Sequence, residues 1–393
     1  MSGATSNGGV SGWPWAAAIA MLLAAAALAT AAAGPAEASP FDGNGVWVWY
    51  VASSGGSPEA IARKADRKGI STVYVKSSDG TSYWSQFTRD LVRTLHSRGI
   101  EACAWSFVYG NDPKREARLS GRAVARGADC LVIDAESSYE GRYRQAYLYV
   151  RKLRRLVGRR YPIGLSSFPY VDYHPDLPYS VFMGRGAAQA NLPQIYWHAI
   201  GTSVRAAFAH TYRWNRGYGR PLYPIGQTWQ DPGKRQILNF RKYAREYGAD
   251  GVSWWSWQET NSREWRQISR PLRRGIPGFE AEREYAHLRR GDSGDLVLYA
   301  QELLAAWDLT AGRDGVFRRR TKRAVSRFQT ERGLTPTGRI GDTTWRALSK
   351  RKPRSTNWKR RAVPRALSSA ATAAAPSSPP GPGGALPPTR GRP

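Results

Sequence analysis

The residues best suited to chemistry gather around one triplet. Asp134-Ala135-Glu136 follows the apolar run Cys130-Leu131-Val132-Ile133, which reads as a β-strand, so the triplet sits at the tip of that strand. Residues i and i+2 on a strand point the same way, with Cα atoms roughly 6.5 Å apart. Two carboxyl groups held that close push their pKa values apart, and one keeps its proton toward neutral pH. A protonated carboxylic acid is what glycosidic-bond cleavage needs to protonate the leaving oxygen. The plain alternative is an Asp that caps the next loop and a Glu that pairs with one of the many arginines.

Other chemistries lack their markers. The histidines (His96, His174, His198, His210 and His287) are scattered without a zinc-binding spacing, and no G-x-S-x-G elbow is present. Neither a metal nor a cofactor is implied. Cys103 and Cys130 cannot build a disulfide framework or a four-ligand zinc site. They fall on neighbouring parallel strands, which seldom offer bridge geometry, so two free thiols are expected.

The triplet needs a frame, and the pattern of residues 41–270 supplies one. Short apolar runs at 46–51, 71–76, 102–107, 130–135, 163–167, 194–197, 222–226 and 251–255 alternate with amphipathic stretches such as 58–68, 86–98, 114–126, 142–157 and 234–247. Several of these stretches end on a glycine just before the next strand, at Gly69, Gly99, Gly127 and Gly248. The strands are almost continuously apolar, as strands covered on both faces are. Eight such units predict an α/β fold, a (β/α)8 TIM barrel; the helix after Tyr179 is the weakest of them. A doubly wound sheet is the alternative, but no glycine-rich phosphate loop follows any strand.

In a (β/α)8 barrel the site lies at the C-terminal ends of the strands. There the sequence collects Trp49, Trp105, Tyr196, Gln227, Trp229, Trp255, Trp257 and Gln258, beside Lys76, Asp79, Gln194 and His198. Sugars need flat faces for their C–H surfaces and amide or carboxylate partners for their hydroxyls. The whole chain has 16 Trp and 20 Tyr, more than a core requires, although part of this set must plug the barrel.

Around the barrel, composition marks the other segments. Residues 16–33 form an uninterrupted apolar run followed by Ala36-Glu37-Ala38, so 1–38 reads as a secretory signal peptide, without the usual basic residues ahead of the run. An uncleaved N-terminal anchor is the alternative. No other apolar run is long enough to span a membrane. Residues 271–285 read as a charged linker across which few contacts should pass. Residues 351–393 are mostly Pro, Ala, Ser, Gly and Arg and read as a disordered basic tail.

Residues 286–350 carry their own small core: Leu296, Leu303, Phe328, Trp345 and Leu348 sit on amphipathic stretches at 295–307, 319–332 and 342–348, and Phe317 lies just before the second of them. With Leu288-Arg289-Arg290-Gly291-Asp292, Asp314-Gly315-Val316-Phe317 and Gly333-Leu334-Thr335-Pro336-Thr337-Gly338, the segment resembles the all-α three-helix peptidoglycan-binding domain found on wall hydrolases. The barrel resembles family-25 lysozyme-like glycoside hydrolases through Ile133-Asp134-Ala135-Glu136 and Trp257-Gln258. That resemblance implies a general acid in Glu136 and a partner in Asp134. It departs at the first strand, where Val46-Trp47-Val48-Trp49-Tyr50 has no aspartate and Asp42 precedes the strand.

The resulting expectation is a secreted, wall-associated glycoside hydrolase whose partner is peptidoglycan or a related glycan. A wall-binding protein with an inactive barrel is the second reading, favoured by the missing strand-one carboxylate. The formal charge of +29 draws the chain to anionic wall polymers. It would also suit nucleic acid, which an exported protein does not meet.

Overall fold

The computed structural model describes residues 1–4, 39–271 and 275–368. The apolar run at 16–33, with the signal-peptide reading it carries, lies outside the described residues. The chain divides into two units, residues 1–39 and residues 40–393, and the barrel and the C-terminal helices both belong to the second.

Eight parallel strands form a closed ring: β1 (Gly43–Val48), β2 (Thr72–Asp79), β3 (Glu101–Val108), β4 (Leu131–Ala135), β5 (Ile163–Ser167), β6 (Ala190–Ile195), β7 (Ile225–Gln227) and β8 (Gly251–Trp255). Each pairs with the next, and β1 pairs with both β2 and β8, which closes the barrel. A two-residue strand, Ser82–Tyr83, turns back antiparallel on the end of β2. Helices α1 (Pro58–Arg67), α2 (Arg89–His96), α3 (Pro113–Val124) and α4 (Tyr143–Val157) follow the first four strands.

Their starts are written locally. Ser57, Thr88 and Asp112 each accept a hydrogen bond from the third residue of the following helix, and Pro58 and Pro113 occupy the first turns, where a missing N–H costs nothing. Their ends use glycine where an L side chain would strain, as at Gly99 (φ 66°) and Gly127 (φ 98°).

After β5 the barrel breaks its own pattern. The helix there is a single turn, α5 (Tyr179–Phe182), followed by the short α6 (Trp197–Ile200) after β6. The ring then resumes with α7 (Val204–Asn215), α8 (Lys234–Glu246) and α9 (Ser262–Ile268).

The barrel interior is filled with rings. Trp47 stacks on Tyr74 at 4.9 Å, and Trp105 meets Trp255 edge-on at 5.4 Å. Gly45 makes this filling fit, because a Cβ there would meet the Tyr74 ring at 2.6 Å. Trp47 donates through Nε1 to Ser253 Oγ, and Trp105 Nε1 donates to the Val48 carbonyl, so both buried indoles are satisfied. Lower in the same interior Cys103 and Cys130 form a disulfide, which overturns the expectation of free thiols. Both side chains point into the barrel from adjacent strands, where Ala104 N donates to the Cys130 carbonyl and the two Cα atoms are 4.7 Å apart. Registered neighbours on one face are close enough to bridge even in a parallel pair.

The C-terminal domain is three helices, α10 (Asp295–Ala306), α11 (Arg319–Glu331) and α12 (Asp342–Leu348), around buried Leu303, Phe317, Phe328, Trp345 and Leu348. Buried Gln301 ties its turn, accepting from Asp314 N and Gly315 N. The expectation of few contacts between this domain and the barrel does not hold. Asp295 is fully buried and accepts from Ser180 N (2.7 Å), Ser180 Oγ (2.6 Å) and the Tyr218 hydroxyl (2.8 Å), all barrel groups. Thus α10 packs where the barrel's own fifth helix is only one turn long.

The segment after α12 is packed over residues 351–368, where a disordered tail was expected. Trp358 is buried against Tyr143 (4.9 Å), Leu367 is buried over Gly315, and Thr356 N donates to Glu302 Oε1. These buried anchors outweigh a composition that is otherwise tail-like. Residues 369–393 lie outside the described set.

Candidate active site

Asp134 is the inward-facing residue at the tip of β4, and Glu136 follows two residues on, both buried. One side chain joins them. Gln194 on β6 donates from Nε2 to Asp134 Oδ1 at 3.1 Å, to Glu136 Oε1 at 2.9 Å and to Ser166 Oγ at 3.1 Å. The carboxylates therefore share one amide nitrogen and lie on the same side of the barrel mouth. Burial first, and then the charge on Glu136, raise the Asp134 carboxyl well above the usual carboxylate range, with Ser166 and Lys76 acting the other way. Glu136 is also raised by burial, against the opposing effects of the Gln194 amide and of His174. A pair so placed retains a proton toward neutral pH.

Opposite charge is supplied by a buried lysine. Lys76 on β2 is 1% exposed, pairs with Asp79 at 2.6 Å, and lies 4.5 Å from the ring centroids of Trp49 and of Trp84. Its field reaches Asp134. A lysine can be kept there because a carboxylate and several π faces replace its water.

The expected substrate-facing residues divide into two groups. Trp49, Tyr196 and Trp229 are half-buried at the mouth, and Trp255 lies just beneath Trp49 at 5.7 Å. Tyr196 stands edge-on to Trp229 at 6.2 Å. The charges of Asp134 and Glu136 add to burial in pushing the Tyr196 hydroxyl up, so it remains a donor. Trp105 is fully buried and belongs to the barrel plug. Gln227 is fully buried, accepting from Ala199 N and donating to the Trp229 carbonyl, so it braces two loops. Gln258 accepts from Trp49 N at 3.3 Å and holds that tryptophan in place. Trp257 faces the helix layer instead of the mouth, edge-on to Trp265 at 4.9 Å with Lys64 5.0 Å above its ring. Successive strand residues alternate sides, and the chain turns at Ser256, so two tryptophans two apart in sequence serve different faces.

Sequence reasoning left Gln194 and Lys76 at strand tips without a role. Their signal was present: an amide at an inward position two residues before Tyr196, and a lysine ending the apolar run Val73-Tyr74-Val75. It also passed over Glu116, whose buried carboxylate accepts from Gly110 N and Asn111 N and fixes the loop after β3. His198 is exposed, whereas His174 bonds Glu140 at 2.7 Å beside the carboxylate pair. Asp42 accepts from the Tyr223 hydroxyl at the opposite end of the barrel, so the tip of β1 has no carboxylate. Among the described residues no cluster of three or more His, Cys, Asp or Glu is placed to hold a metal, and no helix is long and apolar enough to cross a membrane.

Residues 293–348 match the family model described as "Putative peptidoglycan binding domain", which agrees with the three-helix domain seen here. No curated protein matches the chain in sequence. Solved structures similar to the barrel include the catalytic domain of a hyperthermophilic chitinase from Pyrococcus furiosus, at 14% identity and a TM-score of 0.42, over 58% of this chain and 93% of that one. The Bacillus cereus spore cortex-lytic enzyme SleL is similar at 9% identity and a TM-score of 0.45, over 58% of this chain and 73% of that one. A dihydrodipicolinate synthase from Rhodopseudomonas palustris is similar at 13% identity and a TM-score of 0.35, over 55% and 71%. With a synthase among them at such values, these likenesses decide nothing about chemistry.

Proposed function

We propose that the protein is an exported glycoside hydrolase that cuts cell-wall glycan while its C-terminal domain holds peptidoglycan. The observation that carries this reading is the buried Asp134–Glu136 pair bridged by Gln194, at the mouth of an aromatic-lined barrel, in a chain whose residues 293–348 match a peptidoglycan-binding model. Glu136 protonates the glycosidic oxygen. Asp134 holds the second share of the proton and orients the substrate's N-acetyl group. Trp49 and Trp229 offer stacking faces, Trp255 supports Trp49 from beneath, and Tyr196 offers a hydroxyl donor. Export rests on the apolar run at 16–33 and the small residues after it.

The test is release of reducing sugar from purified peptidoglycan, compared with chitin and plain glucans. Release from peptidoglycan above the other two supports the reading, and no release from any of them refutes it. The second reading, an inactive wall-binding barrel, has one observation in its favour: the tip of β1 offers Trp49 and Tyr50 but no carboxylate. It predicts binding to peptidoglycan without release.

A further inference from the structure

A groove of about 870 Å³ lies where the barrel meets the C-terminal domain. One wall is barrel: Pro175 in the long loop after β5, and Trp214 near the end of α7. The other wall is the C-terminal domain, with Arg289, Leu334, Arg339 and Thr343. The walls are fixed to each other by buried polar bonds, Asp295 to Ser180 and Tyr218, and Asp295 N to the Pro175 carbonyl. The barrel wall also adjoins the carboxylate site in sequence. Pro175 follows His174, whose charge is felt by Glu136, and the rings of Tyr170, His210 and Trp214 run side by side from that loop, at 4.1 and 6.5 Å.

We propose that this groove is a joint binding site for peptide-bearing N-acetylated glycan, complete only when the domain is docked on the barrel. This rests on the hydrolase reading for the identity of the polymer, though not for the site itself. Three features select the occupant. The domain that supplies most of the lining matches a peptidoglycan-binding model. Trp214 provides a ring face for a sugar, and Leu334 and Pro175 provide apolar cover. Arg289 and Arg339 are exposed at the rim, where they meet the carboxylates of stem peptides. The barrel thus contributes to wall recognition outside its mouth, and one strand of polymer is gripped beside the point where it is cut.

The experiment uses the full chain carrying Glu136→Gln, so that polymer is not consumed, and measures sedimentation with purified peptidoglycan in 1 M salt, where the Debye length falls to about 3 Å and plain charge attraction is screened. Trp214→Ala removes the barrel's ring, Trp214→Leu removes it while keeping more of the packing volume, and Thr343→Trp fills the groove from the domain side. Arg323→Trp, exposed on α11 and away from the groove, is the control. The expected result is binding weakened about tenfold by each groove variant and unchanged by the control, with thermal unfolding showing each protein folded. If Thr343→Trp weakens binding while neither Trp214 variant does, the domain binds alone and the joint site is wrong. If no groove variant weakens binding, or the Glu136→Gln chain itself stays in the supernatant, the groove is not the site. The hydrolase reading fails separately, when the wild-type chain releases no sugar while the groove variants still lose binding.

Discussion

Replacing Gln194 with leucine separates this site from any arrangement in which the two carboxylates act alone. The amide favours the ionised form of Glu136, which it reaches at 2.9 Å, so it lowers a pKa that burial raises. Without it the glutamic acid holds its proton to higher pH. A hydrogen bond to a charged group contributes roughly 1.5–3 kcal/mol, and 1.36 kcal/mol corresponds to one pH unit. Gln194 divides one N–H₂ nitrogen among Asp134, Glu136 and Ser166, so the lower end of that energy applies and the alkaline limb moves upward. The assay is the pH dependence of kcat/KM for reducing-sugar release from peptidoglycan, whose alkaline limb reports loss of the acid in the free enzyme. Asp134→Asn supplies the opposite sign. It removes a like charge from the pair, so the limb moves to lower pH. Opposite shifts from two neighbouring substitutions are hard to obtain from general loosening of the barrel. An alkaline limb that stays still in Gln194→Leu, or moves down, refutes the bridging role.

Other perturbations have equally definite outcomes. Glu136→Gln lowers turnover by roughly 10²–10⁴-fold while the melting temperature stays near that of wild type, as loss of a general acid demands; normal turnover would make Glu136 structural. Mass spectrometry of denatured, non-reduced protein treated with an alkylating agent shows no added mass at Cys103 or Cys130, and reduction costs about 3–4 kcal/mol of stability by the loop-entropy relation for their 27-residue separation. At the junction, burial raises Asp295 to about 6 and Glu302 to about 7. A raised folded pKa gives stability that is fully present below the ordinary carboxylate pKa and lost as pH climbs through the folded one, so the junction weakens between about pH 4 and 7. The double variant Asp295→Asn, Glu302→Gln should show a smaller fall in melting temperature over that range than wild type, and an equal fall refutes the assignment.

The barrel was legible because its signals are local and repeated. Strands β5 and β8 carry the expected bounds, and the caps at Ser57, Thr88 and Asp112 start their helices within a few residues of where the pattern placed them. The carboxylate pair was legible for the same reason, since Asp134 and Glu136 sit two apart at the tip of one strand. What failed to show was everything that depends on which strands become neighbours. Gln194 gains its role only when β6 comes beside β5 and faces Asp134. The Cys103–Cys130 bond depends on register across β3 and β4. Trp257 and Trp255 read alike in sequence, and only the turn at Ser256 sends them to opposite sides of the wall. The docking of α10 left the weakest trace: an isolated Asp295 at the start of a helix reads as a solvent-facing residue at a helix N-terminus, not as an acid bound by Ser180 and Tyr218 from 115 and 77 residues away.

That docking changes what the C-terminal domain does for the barrel. A domain on a loose tether raises the local concentration of substrate and lets the active site roam over a radius set by the linker. Here residues 271–285 do not set the reach, because Asp295 and Trp358, both beyond that segment, fix the domain to the barrel through buried contacts with Ser180, Tyr218 and Tyr143. The one-turn α5 leaves a gap in the helical ring, and α10 fills it, so the domain forms part of the barrel's wall. On the hydrolase reading proposed above, an anchored molecule would present its carboxylate pair to bonds at one distance from the anchor, and cutting more of the wall would require the whole chain to release and rebind. The strongly basic surface suits such a cycle: long-range attraction that weakens with salt keeps a released molecule close to the anionic wall without holding it at one point.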